Sequence, residues 1–144
     1  MAQPGKNSND GLGSPAASKS FAREQEQNQA DFEVEFFGRL LQRTPDYVDV
    51  LRVMGSLLSH KGLFAEGLKV DRRLVRLRPE DALAHYNLAC CYALLKRADA
   101  SIKTLRKAVE LGYRDFRYMR EDHDLDTIKQ DPRFRQLLRD FENR

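Results

Sequence analysis

From Asp31 onward the apolar positions recur at the spacing of short amphipathic helices. Phe32, Phe36, Phe37, Leu40 and Leu41 fall on one helical face, and Pro45 biases Thr44 out of the helical region and ends the run. Val50, Leu51, Met54, Leu57 and Leu58 mark a second helix that stops near Lys61-Gly62. Phe64, Leu68, Leu74, Val75 and Leu77 mark a third, which stops before Pro79. Asp81 can cap a fourth through Leu83, Leu88, Tyr92 and Leu95. A fifth runs from about Asp99 through Ile102, Leu105, Ala108, Val109 and Leu111 to Gly112. No stretch alternates with the period of two that a half-buried strand requires. The pattern predicts an all-α fold of short antiparallel helices.

These helices repeat. Met54-Gly55-x-x-Leu58 returns as Leu88-Ala89-x-x-Tyr92, Gly67-Leu68 as Ser101-Ile102, and Leu74-Val75-x-Leu77 as Ala108-Val109-x-Leu111. The offset is about 34 residues, the period of one class of helix–turn–helix solenoid. It also reaches backward, from Pro79 to Pro45 and from Leu74-Val75 to Leu40-Leu41. On these residues the chain resembles the tetratricopeptide repeat (TPR) family. Leu88, Ala89 and Tyr92 match the first-helix motif, and Ser101 and Ala108 its small positions. Gly55, Gly62, Phe64, Gly67 and Pro79 match the unit before. The resemblance implies an antiparallel helix–turn–helix solenoid and says almost nothing about activity. The chain departs from the family at Tyr113, where a proline is usual, and at Leu74, where a small residue is usual. Asp71 falls where the family buries a large apolar side chain, so the resemblance implies a buried carboxylate needing a polar partner, with the Tyr92 hydroxyl or His85 as candidates.

The repeat sets the expected boundaries: a lone helix over 29–47, whole units over 48–81 and 82–115, and a C-terminal cap over 116–144. Residues 1–28 are rich in Gly, Ser, Asn, Gln, Pro and Ala and hold one aromatic, Phe21, so they are expected to be a disordered tail. Asp131-Pro132 is a helix start, with Phe134, Leu137, Leu138 and Phe141 on one face; a terminal solenoid unit needs such a cover for its last apolar face. The stretch resembles a tail found after the last unit in bacterial TPR proteins, which implies a bacterial source.

Composition narrows the classes. The 144 residues are 41% hydrophobic and 33% charged, with 25 basic against 22 acidic side chains. That balance does not argue for nucleic acid. No apolar window is long enough for a membrane span, and the first residues lack a signal-peptide core, so a cytoplasmic protein is expected. Cys90 and Cys91 are adjacent, which suits neither zinc spacing nor a C-x-x-C redox pair. Their helical phase, set by Leu88, Ala89 and Tyr92, predicts Cys91 buried and Cys90 partly exposed. No glycine-rich phosphate loop and no nucleophile with a placed base is present. The acidic run Glu121 to Asp126 lacks calcium-loop spacing. No catalytic residue, cofactor or metal site is expected.

What remains is a surface. By the resemblance, first helices line a concave groove, which places Arg52, Ser56, Leu83, Tyr86, Asn87, Cys90 and Arg117 there. Arginines at the ends would hold carboxylates, and Asn87 would bond the backbone of an extended peptide. Of the residues with which related clamps grip a chaperone C-terminus, only Asn87 is matched directly. The expectation is a non-catalytic module for a protein or peptide partner, with the strip Leu83, Tyr86 and Cys90 open to it. Alternatives are a homodimer covering its own groove, the cap folded over that strip, and a basic adaptor for nucleic acid through Lys69, Arg72, Arg73, Arg76, Lys103, Arg106 and Lys107.

Overall fold

A computed structural model describes residue 2 and residues 14–143 of the chain. The described residues form an all-α helical solenoid of seven α-helices: α1 Pro15–Arg43, α2 Val48–His60, α3 Phe64–Leu77, α4 Ala82–Leu94, α5 Ala98–Glu110, α6 Phe116–Glu121 and α7 Pro132–Glu142. A single 3-10 turn, His123–Leu125, joins α6 to the segment before α7. No helix among the described residues is long and apolar enough to cross a membrane. Helix α2 packs against α3 and α4 against α5, the pairs expected as whole repeats, with α3 against α4 between them and α1 against α2.

Helix α1 begins at Pro15, not at residue 29, so the expected tail is corrected over 15–28. Residues 15–28 are helical yet exposed, so burial does not hold them. Their support is local. The Ser14 hydroxyl accepts from the Ala17 amide at 3.3 Å, and Pro15 occupies the first turn. No Gly or Pro interrupts residues 16–37, where Ala, Glu, Gln, Lys and Arg favour helix. At the end of this stretch the Gln27 amide donates to Asp31 Oδ1, one turn on, at 3.4 Å. The rest of the expected tail, residue 1 and residues 3–13, lies outside the described residues.

Three helices end alike. The amide of Gly62 bonds the Ser59 carbonyl at 3.0 Å and that of Leu63 bonds the Leu58 carbonyl at 2.9 Å. Lys96 and Arg97 repeat the pattern on Ala93 and Tyr92, and Gly112 and Tyr113 repeat it on Val109 and Ala108. This reversal needs a left-handed residue at its centre. Gly62 (φ 78°) and Gly112 (φ 117°) supply it freely, but Lys96 holds φ 59° with a side chain. Lys96→Gly is therefore expected to raise stability by about 0.5–1 kcal/mol, read as a higher denaturation midpoint in urea; a lowered midpoint would mean the Lys96 side chain contributes more than its backbone strain costs.

The core thickens toward the C-terminus. Leu51, Leu74 and Ala84 form one cluster and Leu68, Leu88 and Cys91 another. The largest joins Tyr86, Ala89, Cys90, Leu105 and Val109 to Met119, Leu125, Ile128, Phe134 and Leu137. The small residue at 101 is explained by its hydroxyl, which donates to the Ala89 carbonyl at 2.8 Å inside the core. Tyr113, which stands where the family has proline, stacks on Tyr86 with ring centres 4.2 Å apart and planes 4° from parallel. Asp131 caps α7 by accepting from the Arg133 amide at 2.9 Å.

Candidate functional site: a polar groove with a buried carboxylate

Side chains from α2, α4, α6 and the 123–125 turn converge on a polar pocket of about 330 Å³, lined by Gly55, Ser56, Ser59, His60, Asn87, Tyr118 and Asp124. Ser56 and Asn87, both expected in the groove, are exposed and line this pocket. A further wall comes from the second helix of the first repeat: Asp71, on α3, also lines the pocket. It arrives there through Gly55. A β-carbon placed on Gly55 would lie 2.3 Å from Asp71 Oδ1 and 3.3 Å from its Cγ. The glycine on α2 is thus the gap that lets the Asp71 carboxylate of α3 reach the pocket.

Asp71 is only 4% exposed. Its expected burial is found, but neither expected partner holds it. The Cys91 thiol donates to Asp71 Oδ2 at 3.1 Å, while His85 Nε2 pairs with the Pro79 carbonyl at 2.9 Å. Burial raises the Asp71 pKa to about 6, partly offset by the Cys91 hydrogen bond. Because the contact at Gly55 is tighter than a β-carbon permits, Gly55→Ala should cost about 1–2 kcal/mol despite the better helix propensity of alanine. In an Asp71→Ala background the same change should be neutral or stabilising. A double-mutant cycle on urea midpoints checks this; equal effects in both backgrounds would place the crowding elsewhere.

The apolar strip expected in the groove is corrected. Leu83 is 53% exposed, but Tyr86 and Cys90 are buried at 2% and 6%. The C-terminal segment covers them. The Tyr86 hydroxyl donates to Asp122 Oδ2 at 2.6 Å, and the Cys90 thiol donates to the same oxygen at 3.8 Å. The Thr127 hydroxyl donates to the Ala93 carbonyl at 2.8 Å, fixing the segment along α4. Tyr86 and Cys90 are therefore internal contacts, not partner contacts. Of the end arginines, Arg52 is paired with Asp81, the cap of α4, whereas Arg117 stays exposed beside Glu121 at 3.2 Å.

Cys90, Asp122 and Asp124 bring three donor atoms within 4.8 Å of one another. Sequence spacing does not join them, because Asp122 and Asp124 lie beyond the repeat register. Burial, then the charges of Asp122 and Asp124, push the Cys90 thiol far up. Burial and the neighbouring Asp71 push Cys91 up to about 12. Both thiols are thus expected to resist labelling in the native protein at pH 8, where a pKa near 12 leaves on the order of a thousandfold less thiolate than an ordinary cysteine. A disulfide-exchange time course checks it. Rapid modification of Cys90 alone, the outcome its helical phase predicted, would mean the C-terminal segment is not seated on α4.

No family model matches the chain. It is 34% identical over 91 residues to a chloroplastic protein of Arabidopsis thaliana, an alignment covering 61% of this chain and 27% of that protein. The chain thus spans about a quarter of that relative's length. Being a plant protein, the relative does not speak for the bacterial source that the tail implies. Among solved structures, "MamA RS-1 ArsTM double mutant" superimposes with a TM-score of 0.58 at 21% identity, covering 81% of this chain and 70% of that one. MamA contains tetratricopeptide repeats, and the likeness shows a TPR-like fold for this chain.

Proposed function

We propose that this chain is a non-catalytic protein-recognition module that holds an extended segment of a partner protein in its concave groove. The observation that carries the reading is the polar pocket at the groove centre, where Ser56 and Asn87 remain exposed while the surrounding apolar seam is filled. A side-chain amide and hydroxyls at such a place can both donate to and accept from a peptide backbone. The TPR-like fold supports a scaffold of this kind. A catalytic reading is disfavoured by the thiols, whose raised pKa values leave them protonated at neutral pH. The expected setting is the cytoplasm; the relative's name places that protein in the chloroplast, and an organellar setting is the alternative.

A photoreactive residue at Ser56, compared with one at Lys103 on the exposed side of α5, tests the reading in living cells. Ser56 should give a discrete adduct that Asn87→Arg abolishes without lowering the melting temperature. Adducts from Lys103 alone would move the site to the basic face of α3 and α5.

A second reading is self-association through α1. That helix has no antiparallel partner on its outer side among the described residues, and Phe32 and Phe36 stack at 6.3 Å while 63% and 49% exposed. Aromatic surface of this kind favours an interface. Sedimentation should then show a dimer that Phe36→Glu dissociates; a monomer at all concentrations would discard it.

A further inference from the structure

We infer that the groove selects partner segments bearing a lysine or arginine side chain, anchored at the pocket floor by the Asp71 carboxylate. The inference rests on the groove reading above and gives the partner its chemistry.

Asp71 is more than nine-tenths buried and lines the pocket. One oxygen, Oδ2, takes only the weak thiol donor of Cys91. The other, Oδ1, lies against Gly55 and accepts no hydrogen bond from any described residue. An ionised carboxylate has roughly four acceptor positions, and burial that limits the water able to reach them is costly. No structural need explains the cost, since the corresponding position one unit later is Leu105, fully buried and apolar. The absence of a side chain at Gly55 is what opens the carboxylate to the groove.

The rest of the pocket fits a cation as well. The hydroxyls of Ser56 and Ser59 and the amide oxygen of Asn87 can accept from an ammonium or guanidinium group. Asp124 lines the same pocket, its pKa raised by burial and then by the charges of Asp122 and Asp126. No lysine or arginine among the described residues lines the pocket. The titratable groups facing Asp71 are Cys91 from α4, His60 from α2, Tyr118 from α6 and Asp124 from the 3-10 turn. A carboxylate-bearing ligand would meet charge of its own sign from Asp71 and Asp124. The pocket is sized for a side-chain terminus rather than a folded surface, so the occupant is an extended segment of a partner. Burial keeps the Asp71 pKa near 6, so the anchor is ionised at pH 7.5 and mostly neutral at pH 5.

The test uses peptides selected on the full chain at pH 7.5 from a random displayed library, then synthesised with acetylated and amidated ends. Each should carry a lysine or arginine whose replacement by norleucine or citrulline weakens binding about tenfold or more. Asp71→Asn, which keeps the shape, should weaken the parent peptide equally and make the replacement neutral. Binding to the unmodified protein should fall about tenfold between pH 7.5 and pH 5, and binding to Asp71→Asn should not follow it. If that variant does not fold, the peptide replacement and the pH dependence still decide. Peptides that Asn87→Arg displaces but that lack a cationic residue, or that bind Asp71→Asn unchanged, overturn the cationic anchor and leave the groove reading in place. If selection yields no peptide that Asn87→Arg displaces, both fail.

Discussion

Ending the chain after Asp115 is expected to abolish cooperative folding of the second repeat. The segment removed buries Phe116, Met119, Leu125, Ile128, Phe134, Leu137 and Leu138 in the same cluster as Tyr86, Leu105 and Val109. At about 1.5–3 kcal/mol for each fully buried side chain, the loss of roughly 10–20 kcal/mol matches or exceeds the roughly 5–15 kcal/mol by which a domain is stable. It also strips Asp122 from Tyr86 and bares the α4–α5 face to water. Circular dichroism should show a non-cooperative or lost thermal transition. The milder Leu137→Ala should lower stability by about 2–5 kcal/mol and keep the fold. A truncated chain that melts cooperatively within a few degrees of the whole would mean residues 116–144 are an appendage and not part of the solenoid.

The second large effect concerns Asp71 and pH. Its folded pKa is raised from 3.8 to about 6 by burial. The native state therefore holds a proton more tightly than the unfolded chain does. This group's contribution to stability is complete below about pH 4, is lost as pH rises through 6, and is flat above that. A rise of this size corresponds to about 3 kcal/mol at most. Asp71→Asn removes the titration and should stabilise the protein at pH 7.5 by about 1–2 kcal/mol, with the advantage vanishing toward pH 4. Exposed carboxylates paired with arginine, such as Asp131 with Arg133, act in the opposite sense at low pH, so the difference between parent and variant is the quantity to plot. A variant less stable than the parent at pH 7.5 would mean that the carboxylate is already satisfied. A buried carboxylate that destabilises its own protein is what a site retained for binding would look like.

Much of the scaffold could be read from periodicity. The same apolar spacing that marks α2 to α5 sets their boundaries, and the 34-residue offset pairs Gly62 with Lys96, both left-handed in the structure. The resemblance also singles out Asp71 as a carboxylate in an apolar position. Periodicity fails where the repeat stops. Beyond Asp115 no register says which residues return to α4, so Tyr86 and Cys90 look like an open strip until Asp122 and Thr127 are seen against that helix. The acid at the groove centre was hidden for a related reason. Counting only first-helix residues as concave misses a side chain that reaches through Gly55 from α3, and it leaves arginines as the apparent charge of the groove. The N-terminal half of α1 escaped because a composition argument weighs burial, whereas that segment rests on a cap and helix-favouring residues.

The groove itself is tested most directly by amide chemical-shift mapping of the full chain with a selected peptide. The account predicts that the largest shifts fall on Gly55, Ser56, Ser59, Asp71 and Asn87, around the pocket. Shifts confined to Lys103 and Lys107 on α5, or to Phe32 and Phe36 on α1, would contradict it.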